Sequence, residues 1–178
     1  KRIFFLARVQ RKGGGFHTAS MTVGSDGKEL RACFPSPWEW SGSHFDWLTA
    51  DKLMVTARYE GKKWCPILFT DGKGDYEVLG KGLLDHDGHG TFSPDGKWMV
   101  MDRYRDALGN QSLFLMDMET NAVLSLGNFY EPPRFYNPQI PGYWRCDLHP
   151  CWSPNGDMIV FNSTHEGTRQ VYLINLRW

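Results

Sequence analysis

The sequence predicts an all-β fold, a β-propeller of four-stranded antiparallel blades, of which the chain holds roughly three to four. Three observations carry the prediction. A pattern of histidine, two residues, aromatic, turn and apolar run occurs three times, starting at His44, His89 and His149. Each occurrence is followed by a polar loop and a third apolar run, so a unit holds up to four short strands. The turn is Ser-Pro-Asp-Gly at 93–96 and Ser-Pro-Asn-Gly at 153–156, which closes a tight antiparallel hairpin. Units of this length and strand content are the signature of propeller blades.

The segments Arg2–Val9, Phe16–Val23 and Glu29–Phe34 read as the last three strands of an earlier blade. His44-Phe-Asp-Trp47 then leads to Leu53–Ala57, Cys65–Thr70 and Tyr76–Gly80. His89-Gly-Thr-Phe92 leads to Trp98–Met101, Ser112–Asp117 and Ala122–Leu126. His149-Pro-Cys-Trp152 leads to Met158–Phe161 and Gln170–Leu176. Blade bounds are expected at about 1–37, 41–82, 86–130 and 145–178, the first and last incomplete. The stretch 130–145 has no strand period and carries several prolines and aromatics, so it reads as an ordered connection roofing a binding surface. Incomplete end blades suggest a piece of a longer protein, or a chain completed by another copy. An open stack of sheets is the weaker alternative, because its unpaired edges would aggregate.

Composition narrows the function. The 178 residues carry 20 acidic and 20 basic side chains. This balance argues against nucleic-acid and anionic-membrane partners. No apolar run approaches the roughly 20 residues of a spanning helix. Lys1-Arg2 before Ile3–Ala7 is reminiscent of a leader, but Arg8 interrupts the apolar run and a strand fits better. The chain does not begin with Met, so targeting is not read from it. Cys33, Cys65, Cys146 and Cys151 form no dense disulfide framework, and a Cys146–Cys151 bridge is the minority reading.

In a propeller the first strand of each blade lines the axis, so His44, His89 and His149 are expected to converge. Convergent imidazoles suit a metal or proton transfer. Cys146-x-x-His149, with His165 returning across the hairpin and His89 from the preceding blade, supplies four ligands of zinc type. Asp147, Cys151 and His86 are alternates. Zn²⁺ in a structural role is the expected ion, with Mn²⁺ or Ca²⁺ as substitutes. The ordinary alternative is a buried free cysteine and capping histidines. Arg145, Arg103 and Arg105 with Tyr143, Tyr104 and Trp144 would suit an anionic sugar, guanidinium on carboxylate and ring face on pyranose. No Gly-x-Ser-x-Gly elbow occurs, and no carboxylate pair repeats in register.

His89-Gly-Thr-Phe-Ser-Pro-Asp-Gly96, Trp144-Arg-Cys-Asp-Leu-His-Pro150, Trp152-Ser-Pro and Ser163-Thr-His-Glu-Gly167 with Arg169-Gln-Val-Tyr172 resemble the C-terminal half of TolB-like propellers. More narrowly they resemble the oligogalacturonate lyase and ulvan lyase group of polysaccharide lyases, whose folds are seven-bladed. The resemblance spans roughly residues 40–178. It implies a periplasmic or secreted protein acting on uronate-containing oligo- or polysaccharides by β-elimination. In oligogalacturonate lyases a histidine before the Ser-Pro-Asp-Gly turn and a Gln-x-x-His-Pro-His run bind manganese. His89 and His149 match that pattern, whereas Cys146 and Cys151 replace its Gln and last His, which shifts the preference from manganese to zinc. From the ulvan-lyase side, the resemblance offers His44 as base with Tyr143 and Arg145 as catalytic partners. The other reading is a non-catalytic binding propeller with a structural metal.

Overall fold

The computed structural model describes residues 1–35, 40–58, 63–137, 139–140 and 144–176. The chain divides into two compact units, Lys1–Asp87 and Gly88–Trp178.

The first unit contains two antiparallel sheets. One has the order β1 (Arg2–Gln10), β2 (Phe16–Gly24) and β3 (Arg31–Ala32). The other runs β4 (Ser41–Trp47), β5 (Lys52–Arg58), β6 (Trp64–Thr70) and β7 (Tyr76–Val78). The apolar runs Leu53–Ala57 and Cys65–Phe69 are buried throughout, because both faces of these central strands are covered. Their side chains join Phe4, Phe34 and Trp40 in one core. A polar tie complements it: buried Asp71 accepts from Thr22 Oγ1 and from the Arg31 guanidinium (2.9 Å), and it forms an ion pair with the Arg2 guanidinium at 2.7 Å. A buried carboxylate needs several donors of this kind to offset its desolvation.

The second unit repeats the plan. Its four-stranded sheet comprises β8 (Gly90–Phe92), β9 (Trp98–Arg103), β10 (Asn110–Asp117) and β11 (Val123–Tyr130), in consecutive order. A three-stranded sheet follows, with β12 (Cys151–Trp152), β13 (Met158–Ser163) and β14 (Gln170–Asn175). Val100, Leu113, Leu115, Leu148, Ile159 and Phe161 form the core of this unit. The Trp152 indole donates to the Thr91 carbonyl at 3.1 Å, linking the two sheets.

The repeated turns have one physical explanation. In each, a serine hydroxyl accepts the backbone N–H five residues on (Trp98 or Met158, 3.0 Å) while donating to an aspartate, Asp95 or Asp157. Gly96 and Gly156 take the left-handed backbone (φ 72° and 75°) that the turn requires. Of the connection 130–145, the described part holds one short 3₁₀ turn at Pro133–Phe135. Among the described residues no helix is long and apolar enough to cross a membrane.

Candidate functional site

The site is built around a side chain inside β9. Asp102 ends the apolar run Trp98–Met101, and only 1 % of its surface is exposed. Its carboxylate accepts the His89 backbone N–H at 2.6 Å and the His149 backbone N–H at 2.8 Å. It also lies 3.0 Å from His89 Nδ1. An ionised carboxylate only accepts, so the proton of that bond sits on Nδ1. Gly88 makes the approach sterically feasible, since a Cβ there would fall 1.9 Å from the Asp102 carbonyl oxygen.

His149 reaches Asp102 through a backbone irregularity. It is one of three non-glycine residues at positive φ, 45°, among the described residues. The ladder pairs Cys151 with Val160 and Trp152 with Ile159, a register that would set Asn162 opposite His149. Instead the Asn162 N–H donates to the Leu148 carbonyl at 2.7 Å. The strand thus slips by one residue, as in a β-bulge, and His149 is turned out of the ladder. Its exposed ring stacks on His89, centroids 4.0 Å apart and planes 24° apart. Tyr104 meets His89 edge-on at 5.4 Å, and the Arg145 guanidinium lies over the Tyr104 ring at 4.6 Å. Arg145 Nε also donates to Asp147 at 2.8 Å. The result is a contiguous series of imidazole, imidazole, phenol and guanidinium.

A second buried acid lies next to Arg145. Glu131, 2 % exposed, begins the 130–145 connection and shows no hydrogen-bond partner at Oε1 among the described residues. Burial pushes its carboxyl up to about 7, and Asp147 adds to the rise. The Cys146 backbone N–H and the guanidiniums of Arg105 and Arg145 oppose it. Arg105 stacks on Tyr136 at 3.3 Å.

The four residues expected as zinc ligands are not assembled into one set. Among the described residues, no group of three or more His, Cys, Asp or Glu side chains is placed to hold a metal ion. His89 and His149 belong to the Asp102 cluster. Cys146 is buried, its thiol pushed up by desolvation and facing the Arg169 guanidinium, which pulls the other way. His165 Nδ1 lies 2.9 Å from Ser163 Oγ, with its ring against Tyr172 (4.4 Å) and Phe129 (5.3 Å). All four cysteines are free, so the Cys146–Cys151 bridge is not formed.

His44 belongs to the first unit, on β4, within a register shift between Gly42 and Phe45. His44 and His149 therefore both sit at ladder irregularities, whereas the β8–β9 register runs on regularly to the Asp102 N–H and His89 carbonyl. The three histidines share a sequence pattern but not a ladder position. Tyr143 lies outside the described residues. Asp102 and Glu131 were not singled out from sequence.

Comparison with solved structures places this architecture. TolB from Acinetobacter baumannii superposes with a TM-score of 0.69 at 21% identity, covering 98% of this chain and 39% of that one. The fold is that of a TolB-like β-propeller. An oligogalacturonate lyase from Vibrio parahaemolyticus gives a TM-score of 0.66 at 17% identity, covering 88% of this chain and 41% of the lyase. At such identities the likeness is one of fold, and the chain spans about two-fifths of each of these propeller proteins. No protein-family profile and no curated protein matches the chain.

Proposed function

We propose that the second unit carries part of a site for an anionic, uronate-containing saccharide, and that the whole protein cleaves such saccharides by β-elimination. The observation that carries the reading is the series His149, His89, Tyr104 and Arg145 anchored on Asp102. β-Elimination needs a base for the proton on the carbon next to the carboxylate and a cation to offset the charge that then develops.

His149 is the exposed imidazole and takes the role of base in preference to His44. Asp102 fixes its backbone and, through His89, its ring, so both act as positioning residues. The Arg145 guanidinium pairs with the uronate carboxylate. As the proton moves to His149, the C–H electrons enter the carboxylate as an enolate. They return to form the carbon–carbon double bond while the bond to the glycosidic oxygen breaks. That oxygen takes a proton from the Tyr104 hydroxyl or from water. No step is assigned to a metal, since the expected ligands are dispersed.

A second reading, a binding propeller without chemistry, is favoured by how completely Asp102 is engaged. Its bonds to two backbone N–H groups and to the ring of buried His89 would serve equally well as a latch between the two sheets. The readings part in an assay of pectic, ulvan and glycosaminoglycan polymers. Elimination yields an unsaturated sugar that absorbs in the ultraviolet, and a binding module retains the polymer without producing it.

A further inference from the structure

Trp144 is 70 % exposed, an unusual state for the largest apolar side chain. Its backbone is nevertheless held firmly. The Arg169 guanidinium, from the loop between β13 and β14, donates to the carbonyls of both Trp144 and Arg145. It also reaches the Cys146 thiol, while the Cys146 carbonyl accepts from buried Gln111 Nε2 at 2.9 Å. Three consecutive residues, Trp144 to Cys146, are thus tied to two different sheets of this unit. This backbone displays an indole in solvent, one residue before the arginine assigned above to the uronate.

We infer that Trp144 is the platform of a separate sugar subsite, stacking the pyranose next to the one whose carboxylate pairs with Arg145. This rests on the saccharide reading and deepens it, because the site then selects oligomers over short fragments. Three observations converge. A flat apolar face in water suits the apolar face of a pyranose, whose hydroxyls stay solvated at the rim. The neighbouring cations, Arg145 and Arg169, suit an acidic chain. The tied backbone means that little ordering opposes binding. Arg169 is the positioning residue of this platform.

The test is titration calorimetry of the chain, wild type and Trp144→Ala, with the tetrasaccharides of pectate, ulvan and chondroitin sulfate, each beside its disaccharide. Binding is read directly, so the experiment does not depend on turnover. For whichever series binds, Trp144→Ala is expected to weaken the tetrasaccharide about tenfold and leave the disaccharide within about twofold. Trp144→Phe keeps most of the affinity, and the melting temperature stays unchanged because the ring is exposed. Equal tetrasaccharide affinity in wild type and Trp144→Ala overturns the subsite while leaving the saccharide reading in place. An equal loss for both lengths also overturns it. If no tetrasaccharide binds the wild type, the saccharide reading falls and the subsite with it.

Discussion

Asp102 combines two tasks in one carboxylate: it fixes a histidine ring and it holds the backbone of a residue 47 positions away. Replacing it with asparagine keeps the volume but turns one acceptor into a donor facing donors. Leaving buried N–H groups without an acceptor costs about 1–3 kcal/mol. Asp102→Asn is therefore expected to lower the unfolding free energy by about 2 kcal/mol in urea melts, and an unchanged midpoint would contradict the assigned network. The sequence offered one faint sign of this residue, a lone acid closing an apolar strand, and nothing that named its partners. At His149 local rules pointed the wrong way. A residue before proline favours extended backbone, yet the bond to Asp102 and the stack on His89 accompany φ 45°.

Glu131 links stability to pH. Its folded carboxyl titrates near 7, above its ordinary value, so the folded protein binds more protons than the unfolded chain between the two. Stability linked to this group is complete below the ordinary glutamate range and is lost as pH rises through about 7. The loss amounts to a few kcal/mol at most. Denaturant midpoints across pH 4 to 8 should fall for wild type, and Glu131→Gln should flatten that dependence. A slope that survives in Glu131→Gln would assign it to other groups.

Among the elements, the hairpin turns were the most legible. Serine at the first position and glycine at the fourth state the turn chemically, and both bonds of the serine hydroxyl are local. Strand existence followed from short apolar runs, because these central strands are covered on both faces. The ladder slips at β4 and before β12 were not legible, since a bulge is settled by which groups need partners in three dimensions. The zinc site was inferred from the repeat register and the hairpin pairing, and its four expected ligands are not grouped among the described residues. Two outer strands have a consequence of their own. β1 and β14 each close a three-stranded sheet, exposing Ile3, Phe5 and Val9 on one and Val171 and Leu173 on the other. Among the described residues neither edge pairs with a further strand, and an apolar edge of this kind pairs with other chains. Sedimentation of the 178-residue chain is expected to show association that rises with concentration, reduced in Val171→Lys. A monomer at all concentrations would contradict it.

For the whole molecule, two sequence features outweighed everything else: the recurring histidine-aromatic-turn unit and the resemblance of residues 40–178 to TolB-like propellers. The comparisons with solved structures agree with the fold those features imply. Function was less legible, because blade strands recur across many activities and the chemistry resides in loops and in pairs of residues far apart in the chain. Zinc was suggested by residue types and the repeat register, whereas the cluster on Asp102 emerges only when two sheets are packed together. The decisive quantity is the rate at which an ultraviolet-absorbing unsaturated uronate forms from pectic, ulvan or glycosaminoglycan polymers, for wild type and for His149→Ala with its fold verified. A product from wild type that falls by about a hundredfold or more in His149→Ala is the expected result. No product from wild type on any of the three, or an undiminished rate in His149→Ala, would contradict a histidine-based elimination.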